Sequence, residues 1–266
     1  MTFSTETIIS LGVCGLLTIV IPIVAIIIYK IKNKETWFPS ALIGAATFLV
    51  FSLILESLLH LVMLPIIGDN TVFYVIYGAL AAGVFEETGR FVAYKLLMKK
   101  HYTTKNSILM GLGHGGFEAA AIVGITMISY LAMGLMVNSM GLDEVLRQTS
   151  GSDPATAELV AAQLETIASF GFINAILNIY ERLIAMAVHV CFSVWVYKAV
   201  SVKGKLWFYP AAIAAHAIID VPVAMYQKGV IGILPVYIAM TVLTAVVVFI
   251  TIKMVKKLPD KAEGNL

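Results

Sequence analysis

Ionisable side chains inside apolar stretches are the feature of this sequence that first suggests chemistry. Each such group costs about 2.5 kcal/mol or more in a bilayer, so a functional role is the default hypothesis. Glutamate can take a proton from water, and histidine can stabilise an oxyanion or bind a metal. The groups are Glu56, Glu86, Glu87, Glu118, Glu181, Asp220, His60, His114, His189 and His216.

Two adjacent carboxylates and an arginine share one predicted helix. Arg90 follows Glu86 by four residues and Glu87 by three. It can therefore pair with one carboxylate while the other, about 100° away around the helix, faces a cavity. Two carboxylates buried together repel, which favours a base that can take a proton from water. We therefore interpret this segment as a water-activating element.

The remaining groups lie on shared helix faces and at a common depth. His114 and Glu118 are four residues apart, as are His216 and Asp220, so each pair stacks on one side of its helix. Four groups from four predicted helices lie about 14 to 17 Å from the nearest flanking lysine, at 1.5 Å per residue. These four are Glu86, His114, His189 and His216. We expect them to converge on one site near the middle of the membrane.

A metal is compatible with this set but not required by it. Imidazoles and carboxylates are suitable ligands for a divalent metal such as zinc, and the candidate ligands are His114, His189, His216 and Glu86. The HExxH motif is absent, so such ligands would come from separate helices. Sequence alone leaves metal dependence open.

The composition is that of a membrane protein. Of 266 residues, 60% are hydrophobic and 13% are charged, and the mean hydropathy is +0.93, which excludes an ordinary soluble domain. Long apolar runs predict an all-α bundle of about seven transmembrane helices in a single domain, 1–266, with a core at 72–225 and an outer acidic loop at 138–166. The predicted spans are 8–29, 38–64, 72–98, 108–137, 167–197, 206–225 and 230–252.

Lysine clusters predict the orientation of these spans. They follow the first, third and fifth spans and form the tail, which includes Lys257 and Lys261. The positive-inside rule then places the N-terminus outside and the C-terminus in the cytoplasm. A net charge of +2 does not suggest nucleic acid as a partner. The lipid bilayer is the expected partner, and we expect a multi-pass protein of the cell membrane.

The ordered motifs resemble a family of intramembrane proteases. The segment from Glu86 to Arg90 is similar to the EExxR/K motif of the CAAX prenyl protease and PrsW-like superfamily. Phe117-Glu118 with His114 resembles its second motif, His189 its isolated histidine, and His216 with Asp220 its closing HxxxD/N motif. The order and spacing are most similar to the bacterial YhfC-type branch.

The resemblance implies a role for each matched residue. Glu86 and Glu87 would activate water, and Arg90 would orient them. His189 and His216 would stabilise the oxyanion, while Asp220 would align His216. The prenyl-protease branch typically has FxxxH as its second motif, whereas this chain has His114 followed by Phe117-Glu118. The resemblance therefore favours a membrane-protein or peptide substrate over a prenylated one.

Three functions are compatible with this sequence. The leading prediction is an intramembrane protease that uses a glutamate-activated water, with or without a metal. The first alternative is a noncatalytic scaffold or receptor, because the superfamily includes the scaffold subunit of gamma-secretase. The second is a proton- or metal-coupled transporter, since intramembrane acids and histidines also form ion pathways. We interpret Glu56 with His60, and Glu181 with Arg182, as neutralised pairs towards the outer side.

Overall fold

The computed structural model describes residues 1–151, 153–256 and 258, and within these residues it contains helices and no strand, as predicted. Lys257 and Lys261 of the basic tail lie outside the described residues. The α-helices are α1 (Thr5–Lys32), α2 (Pro39–Thr47), α3 (Ser57–Ile67), α4 (Thr71–Leu96), α5 (Thr104–Glu118), α6 (Ile125–Met140), α7 (Leu142–Ser150), α8 (Pro154–Ala168), α9 (Phe172–Ser201), α10 (Phe208–Gln227) and α11 (Ile233–Val255). Wider π-helical turns connect α2 to α3 (Phe48–Glu56) and α5 to α6 (Ala119–Gly124), and a short 3-10 turn covers Lys99–His101.

The helices confirm a multi-pass membrane protein. Among the described residues, six stretches have the length and apolar composition of a membrane span. They are Thr5–Lys32, Pro39–Ile67, Thr104–Met140, Phe172–Ser201, Phe208–Gln227 and Ile233–Val255. The remaining predicted span, 72–98, corresponds to α4, which has 26 residues but carries several charged groups. About seven spans is therefore consistent with the structure.

The structure corrects the start of the fifth predicted span. That span was expected to begin near residue 167, but α8 ends at Ala168 and α9 begins at Phe172. The predicted outer loop, 138–166, contains α7 and most of α8. Asp153 caps α8 by accepting hydrogen bonds from the backbone N–H groups of Ala155 and Thr156, as aspartate commonly does at the start of a helix.

The chain groups into two compact units. The first comprises Met1–Ile21 and Ala119–Arg182, and the second comprises Pro22–Glu118 and Leu183–Leu266. The first unit has its own apolar core, in which Phe3 also exchanges backbone hydrogen bonds of 2.7 and 2.9 Å with the Asn138 side chain. The buried residues of this core are Phe3, Leu11, Val137, Val145, Leu164 and Ile167.

The second unit contains all eight candidate site residues. Its buried core is rich in aromatic side chains, including Tyr94, Phe192, Trp195 and Tyr197. Within it, α4 packs most extensively against α10, and α2 packs against α5. These two helix pairs carry most of the candidate site.

Candidate active site

Glycines allow the helices that carry the site to approach each other closely. A Cβ atom added to Gly113 of α5 would lie 2.0 Å from the carbonyl oxygen of Ala41 in α2, so only glycine fits there. On another face of α5, a Cβ atom at Gly111 would lie 2.5 Å from the Cα atom of Val190 in α9. Small residues are used in this way at helix interfaces in membranes. His114 is consequently held between α2 and α9.

Glu87 is a fully buried carboxylate with one anchored oxygen. Arg90 Nη1 donates a 2.5 Å hydrogen bond to Glu87 Oε1, and His216 Nδ1 of α10 donates a 2.8 Å hydrogen bond to the same oxygen. Glu87 Oε2 is buried without a hydrogen-bond partner among the described residues. One oxygen is thus fixed in position, while the other retains its lone pairs for a further proton donor.

Glu86 joins α4 to α5 and α9. Its Oε2 atom lies 2.8 Å from His114 Nε2, 3.5 Å from Arg90 Nη2 and 3.6 Å from His189 Nδ1. Arg90 therefore contacts both neighbouring carboxylates of α4 but supplies a single positive charge. Two acidic side chains thus share one arginine.

The hydrogen bonds of Thr47 identify the free nitrogen of His114. The Thr47 hydroxyl lies 2.7 Å from the Gly44 carbonyl oxygen, which can only accept, so the hydroxyl proton points there. Thr47 Oγ1 must therefore accept the Nδ1–H of His114, at 3.0 Å. In the neutral ring, His114 Nε2 then carries a lone pair and faces Glu86 Oε2. Two lone pairs at 2.8 Å repel unless a proton or a metal ion lies between them.

His189 is oriented in a similar way. Arg90 Nη2 has no lone pair to offer, so it donates to His189 Nδ1 at 2.7 Å. The other ring nitrogen, Nε2, contacts the carboxylate of Glu118. In the neutral ring, Nε2–H then donates to Glu118. The single lone pair of Nδ1 accepts from Arg90, and this nitrogen lies 3.6 Å from Glu86 Oε2. A histidine that binds a metal through one ring nitrogen usually donates the N–H of the other to a partner such as a carboxylate.

These contacts form a group that fits a divalent metal. Ligand atoms of Glu86, His114 and His189 all lie within 4.8 Å of one another, and all three residues are buried. Two ligands of a tetrahedral zinc ion lie roughly 3.3 Å apart, given bonds of about 2.0–2.2 Å. The distances of 2.8 and 3.6 Å from Glu86 to the two histidines bracket that value. The donor types suit zinc, and a zinc ion bound here would replace Arg90 as the partner of the His189 Nδ1 lone pair.

His216 lies beside this group rather than within it. Its ring centroid is 5.6 Å from that of His189, and its Nδ1 atom is committed to Glu87. Its Nε2 atom lies 3.4 Å from Asp220 Oδ2, one helical turn further along α10. The structure thus brings the eight candidate residues together as two linked sets. Glu86, His114, His189 and Glu118 form one, Glu87, His216 and Asp220 form the other, and Arg90 contacts both.

The other polar pairs behave as the sequence predicts. Glu56 and His60 are in contact, with 3.4 Å between Oε1 and Nε2. Glu181 and Arg182 form an ion pair. Sequence reasoning did not identify Tyr77, whose hydroxyl lies 2.6 Å from His60 Nδ1.

Thr47 was also missed by sequence reasoning. A threonine in an apolar run is ordinarily a neutral part of a helix, because its hydroxyl can bond to the backbone one turn earlier. Only the pairing of α2 with α5 reveals its contact with His114, so the sequence offers no signal for this role.

Comparisons with known proteins agree with this geometry. A family model described as YhfC intramembrane metalloprotease matches residues 17–248, a range that includes every candidate residue. The Bacillus subtilis (strain 168) membrane protein YhfC is 32% identical over 237 residues, which cover 86% of this chain and 88% of the relative. No solved structure matches the chain.

Proposed function

The chain belongs to the YhfC intramembrane metalloprotease family, and on this basis we propose that it hydrolyses a peptide bond of a membrane-protein or peptide substrate. The observation that supports the proposal most directly is the buried group of Glu86, His114 and His189. In this group the unprotonated Nε2 of His114 faces Glu86 Oε2 at 2.8 Å, and His189 Nδ1 lies 3.6 Å from the same oxygen. A divalent metal such as zinc held by these residues would supply the Lewis acid that polarises the scissile carbonyl.

Glu87 is proposed as the general base. Its Oε1 atom is held by Arg90 and His216, whereas its Oε2 atom has no partner among the described residues. Oε2 would accept a proton from the attacking water and return it to the leaving amine. A positioned acid or base of this kind contributes typically about 10²–10⁴-fold to a rate. Arg90 is proposed to keep Glu87 charged and correctly rotated.

His216 is proposed to stabilise the tetrahedral intermediate. It lies between two carboxylates, with Nδ1 on Glu87 and Nε2 facing Asp220. With Nδ1–H donated to Glu87, an Nε2–H would turn from Asp220 to the developing oxyanion when the substrate is bound. Asp220 would hold the ring in this orientation. Glu118 and Thr47 are proposed as positioning residues for His189 and His114.

A purely structural cluster is a weaker explanation of the same contacts. A carboxylate that only fastens helices would be expected to use both of its oxygens, because an unsatisfied buried polar group costs about 1–3 kcal/mol. Glu87 uses only one among the described residues. This unused acceptor favours a chemical role over the scaffold or receptor. Transport remains an outcome of the experiment below.

The proposal is tested with protein purified in detergent and supplied with a library of apolar peptides. We expect wild type to contain bound metal and to cleave some peptides. Glu87→Gln should retain the metal but lose cleavage, whereas Glu86→Gln should lose both. His216→Ala should retain the metal and cleave at least 100-fold more slowly.

The matched control is Glu35→Gln, which alters a carboxylate outside the site that pairs with Lys105. It should cleave as wild type does. Folded Glu87→Gln protein that cleaves at the wild-type rate would refute the role of Glu87. Metal or proton flux in proteoliposomes without cleavage of any peptide would instead favour transport.

A further inference from the structure

A cavity that contains five polar side chains in a largely apolar lining adjoins the proposed active site. Its volume is about 350 Å³, a size typical of small ligand sites. Its polar lining consists of His60 of α3, Tyr74 and Tyr77 of α4, and Asp220 and Gln227 of α10. We name it the outer cavity, because it lies towards the ends of these helices that are predicted to face outside.

The outer cavity is lined by residues of α3, α4 and α10, beyond a tight contact between α4 and α10. At Gly83 the two helices are in tight contact, since an added Cβ atom would lie 2.7 Å from the Ile213 carbonyl oxygen. At Gly78, more than one turn further out on α4, an added Cβ atom would meet nothing within 4 Å. Asp220 lines the inner part of the cavity, and Gln227, seven residues later, lines the outer part. The two are about 10 Å apart at 1.5 Å per residue, the length of about three extended residues.

Most polar groups of the outer cavity are paired with each other. The Tyr74 hydroxyl donates to Gln227 Oε1 at 3.1 Å, and the Tyr77 hydroxyl lies 2.6 Å from His60 Nδ1. Asp220 differs from them. Its only described contact is the 3.4 Å approach of His216 Nε2, and its side chain remains 29% exposed.

The cavity is electronegative. No lysine or arginine lines the cavity within the described part of the chain. Glu56, which is buried and contacts His60 at 3.4 Å, places a second acidic side chain next to the lining. Two tyrosine rings add electron-rich faces, which attract cations. Lys228 shows that this attraction operates at the rim, because its Nζ atom lies 4.8 Å from the centre of the Tyr74 ring.

We propose that the outer cavity binds a basic side chain of the substrate, with Asp220 as its counter-ion. This inference rests on the proposed function and adds the class of substrate, a peptide with lysine or arginine near the bond that is cleaved. Asp220 contacts His216, which is proposed to act on the scissile carbonyl, so an ammonium group on Asp220 belongs to a residue close to that carbonyl. The ammonium or guanidinium group would form an ion pair with the exposed part of the Asp220 carboxylate, beside its contact with His216.

The test measures binding separately from cleavage. Twelve-residue apolar peptides carry a single lysine, or its uncharged analogue norleucine, at successive positions. Their affinities for detergent-solubilised protein are measured by calorimetry with wild type, Asp220→Asn and Gly78→Leu. Gly78→Leu fills the cavity from a position with open space around it, which makes it a test that leaves Asp220 in place.

We expect the best lysine peptide to bind wild type at least 10-fold more tightly than its norleucine analogue. In Asp220→Asn the affinities for the lysine and norleucine peptides should differ by no more than about twofold. Gly78→Leu should weaken binding of the lysine peptide about 10-fold. Equal affinities for the two peptides at every position would overturn the inference. An unchanged ratio in Asp220→Asn would do the same.

Two further arms separate the possible explanations. Tighter binding of free butylamine than of the lysine peptide would overturn the assignment to a peptide side chain. Mass spectrometry of the same samples then reports cleavage. Lysine-dependent binding without any cleavage would support the cavity and contradict the proposed function, whereas cleavage with no preference for basic residues would overturn the cavity assignment alone.

Discussion

Replacement of Thr47 by valine should weaken metal binding, although Thr47 is not itself a ligand. Valine keeps the shape of the side chain but removes the oxygen that accepts the Nδ1–H of His114. His114 is fully buried, so this N–H would be left without a partner. The ring would then lose the interaction that fixes its tautomer and directs Nε2 at Glu86.

The expected size of this effect follows from the role of outer hydrogen bonds. Loss of an outer partner of a ligand typically weakens metal affinity by about 10–100-fold, which corresponds to about 1.4–2.7 kcal/mol. An unsatisfied buried donor costs about 1–3 kcal/mol, so two independent considerations agree. Zinc affinity is measured by competition with a chromophoric chelator on detergent-solubilised protein. Thr47→Ser, which keeps the hydroxyl, should bind zinc within about threefold of wild type.

Thr18→Val is the matched control for this experiment. The Thr18 hydroxyl is also buried and also donates to a backbone carbonyl one turn earlier, that of Cys14 at 2.8 Å. It has no described contact with a candidate ligand, so its loss should leave zinc affinity unchanged. The reasoning would be refuted if Thr47→Val bound zinc as wild type does, or if Thr18→Val weakened binding equally.

Three other predictions concern metal removal, helix packing and the predicted outer loop. Chelation of bound metal should lower the melting temperature measured by scanning fluorimetry. Metal binding stabilises the fold by about 2.7 kcal/mol at a free-metal concentration of 100 Kd. An unchanged melting temperature would contradict a metal in the buried cluster. Gly113→Ala should lower the melting temperature, since its Cβ atom would overlap the Ala41 carbonyl oxygen and overpacking costs about 1–3 kcal/mol. The control is Gly78→Ala, which lies in open space and should leave the melting temperature unchanged. Equal effects of the two substitutions would refute the packing argument. Hydrogen bonds from the Thr156 hydroxyl and from backbone N–H groups lower the pKa of Asp153, so its cap on α8 should form above the ordinary carboxyl pKa and be lost as pH falls through the lowered value. Limited proteolysis at pH 7 should therefore cut the start of α8 faster in Asp153→Ala than in Asp153→Asn, and equal rates would contradict the cap.

Residue spacing predicts the parts of the site that lie on one helix. Arg90 reaches both Glu86 and Glu87 because residues three and four positions away are neighbours on a helix surface. Depth relative to the flanking lysines predicts that groups from different helices meet. The ring centroids of His114 and His189 are in fact 5.0 Å apart. Both predictions depend only on regular helix geometry.

Partner choice between helices is not predictable in this way. His114 and Glu118 share one face of α5, yet His114 contacts Glu86 of α4, whereas Glu118 contacts His189 of α9. Which partner each side chain meets depends on how far each helix is rotated about its axis. Backbone contacts at glycines such as Gly113 set that rotation, and a single sequence does not reveal which glycine meets which helix.

The pattern of satisfied and unsatisfied atoms around Arg90 supports the proposed chemical role over a structural one. Arg90 is fully buried and donates to Glu87 and His189, but its Nε–H has no hydrogen-bond partner among the described residues, and neither does Glu87 Oε2. One unused donor and one unused acceptor therefore accompany the same ion pair. Each costs about 1–3 kcal/mol when buried, which is a poor arrangement for fastening helices together. It is a suitable arrangement for a site that must receive a proton and hold a polar substrate group, because those bonds form only when the substrate and water are present.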